Sequence, residues 1–252
     1  MEKICSIGEG RAFYTSMRVF LVVAACGCNH LPVSTAAAAT AATAAPREVS
    51  VPMLLVPQET MEFAVTFRGM KIATVQTAIG KQGWVEGKRA IIVKSRGKTD
   101  GLIALLGDLR WELESTIDLD RGYPLHDHEE AWAELAGEKN HDDDKHDWTE
   151  DDDRHDLHSA IGTLRGWHPT PGEEREVRMH LGGGSFGVTI QPAGRARIVD
   201  RPALRYDGLA NGSHKFSIWV SDDASRVPLA GETETELGTV AVELVDYGAL
   251  RD

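Results

Sequence analysis

A segment rich in histidine and aspartate holds the side chains of this sequence that are best suited to chemistry. Residues 126–158 hold fourteen acids, three bases and six histidines. Imidazole combined with carboxylate suits Zn²⁺, Ni²⁺ or Cu²⁺, whereas carboxylates alone suit Ca²⁺ or Mg²⁺. The candidate metal ligands are His126, His128, His141, His146, His155 and His158.

The spacing of these histidines does not match a known tight metal site. The segment contains neither an HExxH motif nor an EF-hand loop, and its excess of acids makes it repel itself. A run of this kind is typical of a solvated, extended loop. We therefore expect at most weak binding of a divalent metal, which protonation of the imidazoles would weaken further at acidic pH.

A serine and a histidine form a second arrangement that could take part in a reaction. His155 and Ser159 are four residues apart, which is one helical turn. That spacing supplies no oxyanion hole, and Ser159 does not lie on a nucleophile elbow. The sequence therefore predicts a protein that is not an enzyme and needs no cofactor.

Apolar residues of one short helix and three tryptophans are the candidates for an apolar binding site. The helical spacing i, i+3, i+4 and i+7 from Leu157 to Leu164 predicts a single apolar stripe. Asp156 is a suitable N-cap, and Pro169 prevents continuation of the helix. The alternative is that these residues simply belong to the core or its rim. The candidate lining residues are Trp111, Trp167, Trp219, Leu157, Ile161 and Leu164.

The elements that must position these residues are mostly strands. After Pro57 the dominant period is two, most regularly over 61–67 and 109–117, where apolar and polar residues alternate. Short connections between such strands favour antiparallel pairing. We therefore predict a mainly β domain over residues 58–249: a curved antiparallel sheet or partly open β-barrel with one amphipathic helix packed on it. The acidic, histidine-rich insert occupies about 126–155 of this domain.

The N-terminal region has the pattern of an exported lipoprotein. Arg18 precedes seven apolar residues that end at Cys26, and Val23-Ala24-Ala25-Cys26 resembles the bacterial lipobox. We expect residues 1–25 to be a signal peptide, Cys26 to be lipidated, and 26–57 to form a disordered tether rich in Ala and Thr. The start could be Met1 or Met17, and the alternative is an ordinary secretory signal that is cleaved later. The expected partner is a membrane, reached through the lipid anchor, most simply at the periplasmic face of the outer membrane.

Net charge argues against nucleic acid as a partner. Three bases against fourteen acids give residues 126–158 a net charge of −11, so the rest of the chain carries about −1 of the total −12. The sequence has no basic stripe that could follow a phosphate backbone. We therefore expect no nucleic-acid binding.

Four segments together carry a resemblance to a known family: residues 59–69, 156–165, 219–228 and 237–247, with a Pro-Gly turn at Pro171 and Gly172 after the second of them. In this order they resemble the opening strand, the central helix, the closing hairpin and the terminal strand of the DUF3108 domain family. The resemblance implies an exported bacterial β domain without an established activity, and it transfers no catalytic residues.

The sequence as a whole predicts a non-enzymatic cell-envelope lipoprotein. Its β domain is expected to bind an apolar ligand, a lipid or an envelope protein. The alternative function is metal binding or metal buffering by the acidic, histidine-rich insert.

Overall fold

The computed structural model describes residues 53–101, 104, 107–135 and 138–250. The expected signal peptide, Cys26 and nearly all of the expected tether lie outside these ranges. Within them, no helix has the length and the apolar character needed to cross a membrane.

The described chain folds into thirteen strands and one helix. In the first half the strands are β1 (Glu59–Phe67), β2 (Met70–Val85), β3 (Lys88–Thr99), β4 (Gly107–Asp118), β5 (Pro124–Leu135), β6 (Glu138–Asp147) and β7 (Arg154–His155). The helix α1 (Leu157–Gly166) follows. The second half contains β8 (Arg175–Leu181), β9 (Gly184–Ile198), β10 (Arg201–Ala210), β11 (His214–Ser221), β12 (Pro228–Thr235) and β13 (Gly238–Ala249).

All thirteen strands belong to one sheet in which almost every strand pairs with its sequence neighbours. The order is β6-β5-β4-β3-β2-β1-β13-β12-β11-β10-β9-β8-β7. The pairing of β1 with β13 joins the two ends of the domain at the middle of the sheet. Every pair is antiparallel except β7 with β8. The prediction of a mainly β fold with a curved antiparallel sheet and one helix is confirmed.

The two ends of the sheet curl toward each other without joining in a ladder. The backbone N–H of Gly182, after β8, donates to the carboxylate of Glu129 on β5 at 3.1 Å. The ring of His146 on β6 stacks on the ring of His180 on β8, with centroids 4.7 Å apart. Side chains therefore hold the seam of an open barrel where backbone hydrogen bonds do not.

The acidic insert is a β-hairpin, so its interpretation as a loop is wrong. Residues 126–135 of β5 pair in antiparallel register with 138–147 of β6. Pairing is favourable because β5 buries Ala131 and Ala133 against the sheet. The outer strand β6 is an edge strand with nearly all of its side chains in solvent, where charge repulsion is screened.

The helix α1 lies inside the curl and contacts both halves of the sheet. Its N-cap is Asp156, whose carboxylate accepts from the backbone N–H of Ser159 at 2.7 Å, as the sequence predicts. Leu164 packs with Tyr206 and Val220 from β10 and β11. On the other side, His158 is hydrogen-bonded to residues of β3 and β4. The helix therefore occupies the position of a plug in the concave face.

Candidate apolar binding site

Two neighbouring cavities flank α1 inside the curl of the sheet. The first has a volume of about 140 Å³ and the second about 50 Å³. Both are lined by the apolar stripe of the helix, with Leu157, Ile161 and Leu164, and by Ile218 of β11. The helix therefore separates two lobes of one apolar space, which we call the α1 cavity.

The walls of the larger lobe come from strands in both halves of the sheet. Its apolar lining includes Met61, Val93 and Trp111 from β1, β3 and β4, and Val220 and Val242 from β11 and β13. On β1, β3 and β11 the lining residues are two positions apart, because every second side chain of a strand points to the same face of the sheet. The site is apolar because each strand contributes side chains that face the core.

The burial of α1 runs opposite to that of an ordinary amphipathic helix. Its polar residues His158, Ser159 and Arg165 are buried, whereas Leu157 and Ile161 of the apolar stripe remain partly exposed. Partners on the sheet satisfy the polar side, whereas on the apolar side only Leu164 is buried. Apolar side chains beside unfilled space lack dispersion contacts, and a bound ligand would supply them.

A chain of hydroxyl and imidazole groups forms the polar part of the larger lobe. Thr77 Oγ1 lies 2.7 Å from Ser95 Oγ, and Ser95 Oγ lies 2.8 Å from His158 Nε2. His158 Nδ1 in turn lies 2.6 Å from Ser115 Oγ. Thr77, Ser95 and His158 line the cavity, whereas Ser115 is completely buried behind them.

A buried ion pair closes one side of the same lobe. Both terminal nitrogens of Arg165 donate to the carboxylate of Glu59, at 2.6 and 2.9 Å, and both side chains are at most 1% exposed. Arg165 also donates to the backbone carbonyl of Ser225, and Tyr247 donates to Glu59 at 2.9 Å. The charges therefore cancel locally, and the pair connects α1 to β1, β13 and the turn before β12.

Four titratable groups that are wholly or partly buried should make stability depend on pH. Burial lowers the pKa of His155 and of His158 to about 4 and also lowers the pKa of His180, whereas burial raises the pKa of Asp127 to about 7. Between about pH 4.5 and 6.5, unfolding lets the three histidines take up protons while Asp127 releases one, so protons are taken up on balance. The free energy of unfolding should therefore fall on acidification in this window, by about 1.4 kcal/mol per pH unit for each proton of net uptake.

Denaturant unfolding at several pH values across this window checks the expectation. The His158→Gln variant removes one of these proton-binding histidines, and glutamine can still bond to the neighbouring serines. Its unfolding free energy should depend on pH less steeply than that of wild type in the same range, because one fewer proton is taken up on unfolding. A wild-type stability that stays constant or rises on acidification would contradict the assignment.

The structure places two of the three predicted tryptophans at the α1 cavity. Trp111 lines the larger lobe and Trp167 the smaller one. Trp219 does not lie among the described residues that line either lobe. It is buried in an adjoining core cluster that also holds Met61 and Val93, with the guanidinium of Arg205 over its ring. Its role as a lining residue therefore stays a prediction.

The six predicted metal-binding histidines do not come together in one site. His126, His128 and His141 lie on the acidic hairpin, and each is beside a carboxylate. His146 contacts His180 and Trp148 at the seam of the sheet. His155 and His158 are buried near the start of α1, where His155 stacks on Tyr123 and lies 3.2 Å from Ser159.

One group on the hairpin has a geometry that could hold a metal ion. Ligand atoms of His128, Glu130 and Asp143 all lie within 4.8 Å of one another. The Nε2 atom of His128 is 2.9 Å from the carboxylate of Asp143 and 3.9 Å from that of Glu130. The three side chains are close to solvent, which suits weak, exchangeable binding rather than a structural site.

A larger, more polar concavity is lined by residues of β1 to β5 and of β13. It has a volume of about 550 Å³, and Met61, Thr77 and Ser95 line both this concavity and the larger lobe of the α1 cavity. Its charged groups are engaged with one another: Lys94 pairs with Glu114 at 2.5 Å, and Gln76 links Glu62 to Arg96. Because these polar groups satisfy one another, this surface resembles a solvated outer face more than a ligand site.

The sequence profile of a family described as "Protein of unknown function (DUF3108)" matches residues 62–245. No curated protein matches the sequence.

Among solved structures, the β-barrel-like DUF1849 protein of Brucella abortus is similar to this chain, with a TM-score of 0.50 and 7% identity. It is matched over 77% of this chain and 99% of its own. The Mycobacterium tuberculosis lipoprotein LppX is matched with a TM-score of 0.30 and 10% identity, over 75% of this chain and 85% of its own. The first likeness supports a barrel-like fold.

Proposed function

Because the chain belongs to the DUF3108 family, we propose that it is a non-enzymatic cell-envelope lipoprotein whose β domain binds an apolar ligand in the α1 cavity. The observation that carries this proposal is the helix α1, whose apolar residues Leu157 and Ile161 stay partly exposed at the cavity while its polar side is buried. A helix that served packing alone would bury the stripe first. The inverted burial is explained if the stripe is one wall of a binding site.

The size of the larger lobe sets the energy available to a ligand. A void in a protein core costs about 24 cal/mol for each Å³, so a volume of about 140 Å³ corresponds to roughly 3 kcal/mol of packing. An apolar cavity of about this size stays dry and accepts a benzene-sized molecule. Longer aliphatic chains would need α1 to shift so that the two lobes merge.

Titration with toluene tests the proposal. Trp111 and Trp167 line the two lobes, so a bound ligand should change tryptophan fluorescence saturably. It should also raise the unfolding midpoint, since a ligand at a hundred times its Kd stabilises the native state by about 2.7 kcal/mol. Toluene that produces neither a saturable fluorescence change nor a thermal shift would contradict the proposal.

The membrane attachment in this proposal depends on Cys26, outside the described residues. Acylation of that thiol would hold the β domain at the periplasmic face of the outer membrane, because each buried methylene contributes about 0.8 kcal/mol. A Cys26→Ser variant should lose its acyl chains by mass spectrometry and move from the detergent phase to the aqueous phase. Identical partitioning of wild type and variant would refute the anchor, and a soluble, cleaved wild type would favour secretion.

Metal binding is a second candidate function, favoured by the group of His128, Glu130 and Asp143. Calorimetry with Zn²⁺, Ni²⁺ and Cu²⁺ should give weak binding that the His128→Gln variant loses. A His168→Gln variant is the matched control, since His168 is exposed and lies beyond α1. Equal heats for all three proteins would dismiss this candidate.

A further inference from the structure

We infer that the α1 cavity selects an uncharged amphiphile, in which an apolar body carries one hydroxyl or carbonyl group that bonds to Thr77 and Ser95. This inference rests on the proposed function and names the chemical class of its ligand. It excludes ionised fatty acids as ligands, and it excludes pure hydrocarbons as the preferred ligand.

The first support is the unused hydrogen-bonding capacity at the cavity end of the hydroxyl chain. Among the described residues, the Thr77 hydroxyl makes one hydrogen bond, to Ser95. A hydroxyl can donate once and accept twice, so Thr77 can still bond to a ligand. With a neutral imidazole, the chain Thr77–Ser95–His158–Ser115 has four polar protons for its three hydrogen bonds. The direction in which these groups donate can therefore reverse, so Thr77 can accept from a ligand donor or donate to a ligand acceptor.

The second support is an orphaned donor in the same lobe. Arg165 lines the lobe, and its Nε atom is buried with no hydrogen-bond partner among the described residues. Buried donors of this kind are rare, and each costs free energy until an acceptor arrives. A ligand oxygen that reaches this atom supplies that acceptor, whereas a hydrocarbon offers none.

The charge balance of the lobe excludes an anion. The charge of Arg165 is already cancelled by the bidentate contact with Glu59. His158 is held between two serines, and its burial lowers its pKa to about 4, so the imidazole is neutral at pH 7. No uncompensated positive charge remains on the described residues that line the lobe, and burying an unpaired carboxylate is strongly unfavourable.

Three ligands of one size test the inference at pH 7: toluene, benzyl alcohol and benzoate. Benzyl alcohol should bind about threefold to tenfold more tightly than toluene, the gain from one net hydrogen bond. Benzoate should bind much more weakly than either. The Thr77→Val variant preserves the shape of the side chain and should remove the advantage of the alcohol while leaving toluene unchanged.

A Thr66→Val variant is the matched control, because Thr66 lies on β1 outside the lining of the cavity, and it should keep the preference for the alcohol. Equal affinities of wild type for toluene and benzyl alcohol would overturn the inference while leaving apolar binding intact. Tightest binding of benzoate would overturn the neutral class. Failure of all three ligands to bind would instead overturn the proposed function.

Discussion

We expect the Arg165→Met substitution to lower the free energy of unfolding by about 3–5 kcal/mol, which is the usual effect of removing one charged partner of a buried ion pair. The carboxylate of Glu59 would stay buried at about 1% exposure and keep one neutral donor, the hydroxyl of Tyr247. The loss is large because the desolvation of Glu59 would no longer be offset by an opposite charge. Denaturant unfolding measures it directly.

Matched variants separate the ion pair from general damage. The double variant Glu59→Met/Arg165→Met removes both charges and should recover much of the lost stability, since an apolar pair of similar volume is often neutral or better. Arg110 on β4 pairs with Asp108 in solvent, so Arg110→Met should change stability by less than about 1 kcal/mol. If Arg165→Met were as stable as the double variant, charge compensation at this position would not matter, and the account of the ion pair would be refuted.

We expect the Ile161→Trp substitution to abolish binding of toluene and of benzyl alcohol. Ile161 lies at the centre of the apolar stripe and lines both lobes, so an indole at this position would fill the volume that a ligand needs. Overpacking costs about 1–3 kcal/mol where a core is tight, but here the added atoms enter open space. The unfolding midpoint should therefore change little or rise.

The control for this variant is Val245→Trp, which adds the same indole at an exposed position of β13. It should bind both ligands like wild type. A second variant, Leu157→Ala, enlarges the space beside the helix and should accept ligands larger than toluene. Retained binding by a folded Ile161→Trp protein would show that the ligand does not occupy the α1 cavity.

Local regularities made much of the fold predictable from the sequence. Strands with strict alternation, such as 61–67 and 109–117, fall within β1 and β4, because a half-buried strand must place every second side chain in the core. The helix was equally predictable, since its N-cap and apolar spacing are encoded within ten residues. The acidic hairpin was not, because its charge masks the small buried residues Ala131 and Ala133 on β5.

The site depended on contacts that no local pattern records. Glu59 and Arg165 are separated by 106 positions, and only the pairing of β1 with β13 and the position of α1 bring them together. The spacing of Leu157 and Ile161 predicted the apolar stripe, but not that these two residues would stay partly exposed beside a cavity. Trp219 shows the same limit, since its residue type suggested a cavity wall, whereas the structure buries it in the adjoining core cluster with Met61 and Val93.

The most direct test of the central claim is mass spectrometry of small molecules extracted from the full-length protein purified from its native membrane. Wild type and Val245→Trp should each release a neutral apolar compound in about equimolar amount, after subtraction of the acyl chains on Cys26. The Ile161→Trp protein should release none. Empty wild-type protein, or the same compound at the same level in all three preparations, would contradict a ligand held in the α1 cavity.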